Sequence, residues 1–221
     1  SKELGTLRAG RNTTPLFVST LAFNAFGDSF GYSPSIRAFF TSNTVSGDSG
    51  WSDSVQYLSP KFGGASFGAI MAAGEGAGGR NWGLNGGYGA GPFAAAFVYQ
   101  KVAKNTSATA AVDDTKTWQL SASYDLGAAK LFGQAGKVDN ETTKRDYKIA
   151  SIGAAVPMGE GKWLAQYSRI SASAGADRKT FSFGYDYQLS KRSDVYAVAM
   201  SDKLSGLSGG NSYSLGLRHR F

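Results

Sequence analysis

The chain has no cysteine, a single histidine and only five prolines in 221 residues, and its longest apolar run is the short stretch from Phe93 to Tyr99. Without cysteine there is no disulfide framework, no thiol nucleophile and no cysteine-ligated metal. The one histidine, His219, stands two residues from the end on the apolar side of its segment. That leaves no histidine to activate a serine or an aspartate-bound water, so no catalytic residues are assigned. No metal site or cofactor is expected either. No run approaches the ~18 apolar residues with which an α-helix crosses a bilayer. A closed β-barrel escapes that test, because each strand shows lipid only every second residue and the average stays low. The mean hydropathy of −0.24 is therefore compatible with a membrane protein. The opening Ser1-Lys2-Glu3-Leu4-Gly5 lacks the charged and apolar regions of a signal peptide, and is read as the start of a mature, processed or truncated chain.

What the chain does have is 30 glycines and 13% aromatic residues, which suit strands and tight turns better than helices. The pattern agrees. From Thr180 to Leu189, Phe181, Phe183, Tyr185, Tyr187 and Leu189 alternate with Thr180, Ser182, Gly184, Asp186 and Gln188. Tyr213, Leu215, Leu217 and Phe221 alternate likewise with Ser214, Gly216, Arg218 and Arg220, and Trp118, Leu120, Ala122 and Tyr124 with Thr117, Gln119, Ser121 and Ser123. Period 2 gives each strand one apolar and one polar face. Alternation alone leaves a soluble β-sandwich and a membrane barrel both open.

Connection lengths separate them. Short links fall near Pro60 to Gly64, Gly89 to Pro92, Leu126 to Ala128, Met158 to Gly161 and Ser190 to Ser193. Longer polar links alternate with these near Gly74 to Arg80, Lys104 to Asp114, Asp139 to Lys144, Ser173 to Arg178 and Lys203 to Gly210. Tight turns at one end and loops at the other are the habit of outer-membrane barrels. Trp and Tyr recur at strand ends, as at Trp82, Tyr88, Trp118, Tyr124, Trp163 and Tyr167. Such rings favour the level of lipid headgroups. The fold class expected is all-β, an antiparallel transmembrane β-barrel of about twelve strands in a single domain, 1–221, integral to the Gram-negative outer membrane.

Residues 12–50 break the rhythm, and so long an irregular stretch in a compact domain is usually functional. Ser33-Pro34 predicts a short helix, with Pro at its first position and Ile36, Phe39 and Phe40 on one side. Such a segment can fold inward, held by its aromatics.

A net charge of +7 admits nucleic acid, anionic lipid or anionic solutes as partners. The lysines stand singly in polar segments, with no basic face interleaved by aromatics, so no nucleic acid is expected. Gly74-Glu75-Gly76-Ala77-Gly78-Gly79 matches a dinucleotide-binding turn, but Asn81-Trp82-Gly83-Leu84-Asn85 then alternates as a strand and opens no helix. Asp113, Asp114, Asp139 and Glu141 fall in outer loops, where they suit solvent, divalent ions or lipopolysaccharide held through such ions.

The sequence resembles the neisserial-type trimeric general porins of beta-proteobacteria. The resemblance rests on Leu4-Gly5-Thr6-Leu7-Arg8-Ala9-Gly10-Arg11, on Asp53-Ser54-Val55-Gln56-Tyr57-Leu58-Ser59-Pro60-Lys61-Phe62-Gly63-Gly64, on Leu189-Ser190-Lys191-Arg192-Ser193 and on Gly216-Leu217-Arg218-His219-Arg220-Phe221. It implies sixteen-stranded barrels, three per trimer, with a third loop that narrows the pore. By that template the opening motif looks like the fifth strand, the first four are missing from this chain, residues 12–50 form the constriction loop, and Phe221 resembles the barrel-assembly signal.

A pore needs no reaction chemistry; it needs a wet lumen, a narrowing and a field across it. Arg8 and Arg11 close the strand that feeds the long loop, and Arg11 resembles the family's constriction arginine. The loop itself carries Asp28, Arg37 and Asp48. The constriction expected is therefore Arg8, Arg11, Arg37 and Asp28, with Arg218 and Arg220 at the periplasmic mouth. Guanidinium groups stay charged and hydrogen-bond anions. The function expected is general diffusion of small hydrophilic solutes with an anion preference, by a homotrimer in outer-membrane lipid. A substrate-specific channel and an outer-membrane barrel enzyme are the alternatives.

Overall fold

The computed structural model describes residues 3–42, 49–74, 79–103 and 113–220. Twelve strands form one antiparallel sheet in which each pairs with its neighbours in sequence. They are β1 Thr6–Thr13, β2 Gly50–Leu58, β3 Ala65–Ala72, β4 Asn81–Ala90, β5 Phe93–Val102, β6 Thr115–Asp125, β7 Lys130–Asn140, β8 Arg145–Met158, β9 Gly161–Ala172, β10 Arg178–Ser190, β11 Ser193–Leu204 and β12 Gly210–His219. The alternation of tight turns and longer loops follows the expected order, so all the loops gather at one end of the sheet. Phe221 and residues 75–78, most of the glycine-rich turn, lie outside the described residues. The strand that follows that turn, β4, is the one its alternation predicts.

Two short helices occupy the long β1–β2 connection: α1 Pro15–Ala22 and α2 Pro34–Phe40. Both begin in the same way. The side-chain oxygens of Thr14 and Ser33 accept from the backbone N–H of Phe17 and Ile36, each at 3.3 Å, with Pro next in sequence. This N-cap satisfies one orphan donor, and Pro has none to waste. The second helix is legible from Ser33-Pro34; the first carries the same signal in Thr14-Pro15, unread above.

The faces of the sheet are inverted relative to a water-soluble protein. Gln119 is 0% and Gln166 2% exposed, whereas Ile152 is 67% and Leu215 84% exposed. The buried polar row lies on the face covered by residues 14–42, here the inner face; the exposed Leu, Ile, Phe and Tyr row is the outer face. A soluble sandwich would bury the apolar row between its sheets. An apolar outer face of this extent is a lipid-facing surface.

The β1–β2 connection is fastened to the inner face twice. Leu16, Ile36, Phe39 and Phe40 pack against inward Val98, Val138, Tyr147, Ile149 and Ile170. Ala25 and Phe26 pack against Leu164 and Val198. Gly136 on β7 makes room for this, since a Cβ there would stand 3.0 Å from the tip of the Phe39 ring and 2.6 Å from the Trp118 carbonyl.

Beyond the inner face, the loop ends are laced by exposed ion pairs. Lys116 donates to Glu141 at 2.5 Å, and this bond with its charge holds the Glu141 carboxyl below the usual carboxylate range. Arg169 donates to Asp177 at 3.0 Å and the Ala172 N–H at 3.0 Å, which lower Asp177 in the same way. A depressed carboxylate stabilises the fold above its unfolded value, near 4, and that contribution vanishes as pH falls through the folded value. The pairs are solvent-exposed, so the effect is small. Protection against hydrogen exchange, referred to the intrinsic rate at each pH, should fall in the 141–144 and 173–177 loops below about pH 4, and Glu141→Gln should abolish that change in the first loop. Protection independent of pH in the native chain would refute it.

Candidate functional site

The inner face is a polar wall bearing the β1–β2 connection. Gln119 Nε2 donates to Thr20 Oγ1 at 2.8 Å, and Gln134 Nε2 to the Phe23 carbonyl at 2.9 Å. Gln166 accepts from the Ala25 N–H at 3.3 Å and donates to Ser35 Oγ at 2.5 Å, while Ser168 Oγ donates to the Pro34 carbonyl at 3.0 Å. Polar side chains of β6, β7 and β9 thus hold the segment. Each glutamine has both a donor and an acceptor, which lets it bond a helix end or a turn without a buried charge.

Residues 24–32 also bound a cavity of about 910 Å³ with the turn ends of β6 to β12. Its walls mix Lys130, Lys162, Arg218 and Arg220 with Asp28, Asp125 and Asp186. This is a large space lined by charged side chains, next to residues 24–32.

The residues expected at a constriction do not gather in one place. Arg8 pairs with Gln56 across β1 and β2, and so shares the inner face of Gln56 and Ser54. Among the described residues it has no ion pair. Asn12 pairs with Trp51, and Trp51 packs inward on Ile70, Ala72 and Val102. Arg11 therefore points to the opposite face, where Nη1 donates to Ser52 Oγ at 3.0 Å. The register there shifts, with Ser52 and Asp53 together opposite Arg11, and Asp53 takes the left-handed φ of 52°.

Arg37 reaches the loop end of β11, where Nη2 lies 2.8 Å from Asp202 Oδ2. Asp202 also accepts from Arg178 and from Thr180 at 3.1 Å, so one carboxylate holds two guanidiniums. Asp28 lies at the other end, 3.7 Å from Arg218. Arg218 in turn bonds Asp194 at 3.0 Å and Asp186 at 3.2 Å, and Arg220 stands 3.7 Å from Asp194. Lys162 adds a cation 3.8 Å from Asp186. Beside Asp28 of the loop, the acids that meet Arg37 and Arg218 come from β10 and β11. Their inward parity is visible in the sequence, but their partners on neighbouring strands and on the segment are not.

Inward basic groups still exceed inward acids. Arg8, Lys130, Arg145, Lys162, Arg178, Arg218 and Arg220 share the inner face with Asp125, Asp186, Asp194 and Asp202, and the loop adds Arg37 and Asp28.

Known structures share this architecture. An anion-selective porin from Comamonas acidovorans superposes with a TM-score of 0.81 at 22% identity, over 99% of this chain and 75% of its own. A loop-deletion variant of OmpT, an outer membrane protein of Vibrio cholerae, gives 0.76 at 16% identity, over 98% and 76%. OmpF of Salmonella typhi, in complex with daunomycin, gives 0.75 at 13% identity, over 100% and 75%. At these identities the likeness establishes the fold. No sequence among the curated proteins matches the chain. A family model of Gram-negative porins matches residues 1–207. Fold and family together point to a channel rather than an enzyme, integral to the outer membrane. With nearly its whole length matched and its apolar face turned outward, the chain belongs to the Gram-negative porin family.

Proposed function

We propose that the chain serves general diffusion of small hydrophilic solutes, with a moderate preference for anions. The observation that carries this is the surplus of basic over acidic side chains on the inner face, around a segment packed onto that face. We read residues 12–50 as the inward-folded constriction loop of a single porin domain. Arg8, Arg37 and Asp28 contribute to the field at the narrowing, and Arg218 and Arg220 to that at the turn-side mouth. Arg37 and Arg218 act as members of ion-paired clusters, so Arg8 is the exposed cation that a passing anion meets most freely.

Several things support the reading. The solved porin from Comamonas acidovorans is described as anion-selective. One solved form of OmpT from Vibrio cholerae is described as a trimer, and a homotrimer is the assembly we assign here. The motifs at Leu4 to Arg11 and Asp53 to Gly64 resemble those of the neisserial-type porins.

Planar-bilayer recording under a salt gradient tests it. Discrete conductance steps are expected, with a reversal potential of the sign that anion flow produces. A cation-signed potential would refute the selectivity. Saturable block by one solute class would favour a substrate-specific channel instead.

A further inference from the structure

The cavity beside residues 24–32 has an apolar wall that the passage of small ions does not require. Phe26, 6% exposed, packs on Leu164 and Val198, and Tyr32, Phe132 and Tyr196 pack against the same cluster. These four aromatic side chains all line the cavity. A path for hydrated ions alone would gain nothing from them.

The charges around these rings are unequally satisfied. Arg218 is taken up by Asp28, Asp186 and Asp194, and Arg220 stands 3.7 Å from Asp194. Asp125 faces Lys130 directly across β6 and β7, yet its Oδ1 accepts from the Gly127 N–H at 2.8 Å, within its own turn. Among the described residues Lys130 forms no ion pair, and its Nζ lies 5.6 Å from the centre of the Phe132 ring. Lys162 reaches Asp186 only at 3.8 Å, where Arg218 stands closer at 3.2 Å. Two ammonium groups are thus left to meet an anion, while the acids around them are engaged elsewhere.

Their spacing suits a small solute. Lys130 on β7 stands opposite Ala155 of β8, and Lys162 on β9 opposite Pro157 of the same strand. Strand separation and rise put the two lysine Cα atoms roughly 12 Å apart. Only Ala155 and Pro157 stand on the floor between them.

We propose that this cavity binds aromatic carboxylates, with the ring against Phe26 and Phe132 and the carboxylate between Lys130 and Lys162. A ring is favoured over an aliphatic chain because aromatic pairs gain edge and offset contacts beyond the area they bury. An anion is favoured over a cation because the acids of the cavity are held by Arg218 or by their own turn. The site rests on the reading of the chain as a diffusion channel and adds a preference within it. One such anion fills a fraction of the cavity of about 910 Å³, so smaller solutes keep their path.

Titration of the detergent-solubilised chain with benzoate, followed by ligand line broadening in NMR, tests the site against benzyl alcohol, which keeps the ring, and acetate, which keeps the charge. Benzoate should saturate, and each of the other two should bind about tenfold more weakly. Lys130→Gln combined with Lys162→Gln should weaken benzoate about tenfold, and Phe132→Leu should erase the advantage of benzoate over cyclohexanecarboxylate. Benzoate no tighter than acetate in wild type would overturn the ring contact, and benzoate no tighter than benzyl alcohol the lysine pair, even if a variant fails to fold. Benzoate binding unchanged in the lysine variant would overturn the location. Bilayer recording separates the two readings. Saturable benzoate binding by a chain without conductance steps would refute the channel and leave the site, whereas conductance steps without saturable binding would refute the site alone.

Discussion

Replacing Phe39 by alanine should free the β1–β2 connection from the wall, raising single-channel conductance and open-channel noise while the sheet itself stays intact. Phe39 is 1% exposed, in a cluster formed by both helices and five inward wall residues. Truncating such a ring costs about 3–5 kcal/mol. That loss falls on a segment held otherwise by the rest of this cluster, by Ala25 and Phe26 on Leu164 and Val198, by the Arg37–Asp202 pair and by side-chain hydrogen bonds each worth about 1 kcal/mol net. The local opening equilibrium should therefore rise by roughly two to three decades, visible as faster hydrogen exchange or proteolysis confined to residues 14–42. Phe39→Leu, closer in volume, should move both readouts less. Gly136→Ala approaches from the other side, pressing a methyl against the ring and the Trp118 carbonyl, and should loosen the same segment. Conductance unchanged in Phe39→Ala would show that the segment does not limit flow.

Arg8→Glu should reduce or invert the anion preference, whereas Arg11→Glu should leave it nearly unchanged. Arg8 shares the inner face with Gln56; Arg11 lies on the other face against Ser52. A unit charge acts on an ion about 5 Å away with roughly 0.8 kcal/mol in water. The reversal is worth twice that, opposite in sign for anions and cations, and salt screens part of it. A change of roughly tenfold in the permeability ratio is expected. Asp202→Asn should act in the opposite sense, because it leaves Arg37 and Arg178 without their shared carboxylate. It also releases one tether of α2, so conductance noise should rise with anion preference. Equal effects of Arg8→Glu and Arg11→Glu on the reversal potential would refute the assignment of faces.

Alternation made most of this fold readable before any coordinates. The pleat of a strand gives neighbouring side chains opposite environments, so Phe181 to Leu189 announce a strand and its two faces at once. Pro and a capping Ser did the same for α2, because those residues solve a local problem of unsatisfied N–H groups. Thr14-Pro15 offered an equal signal for α1, obscured only by the strand motif running into it. The acids of the lumen were less accessible. Asp186, Asp194 and Asp202 sit at polar positions of ordinary strands, and nothing local says that they meet Arg218, Arg178 and Arg37.

A chain without long apolar runs can still turn an apolar surface to lipid, provided every second residue does so. By itself the sequence determined the strands, their turns, the family and the membrane location, since those depend on local periodicity and on motifs. Tertiary structure alone decided which charges meet. Arg11 was turned outward by a two-residue bulge on the neighbouring strand, and Arg37 was carried to Asp202 by a helix packed on β8 to β10. Such pairings join residues far apart in the chain, and the register of the sheet with the segment folded onto its inner face brings them within reach.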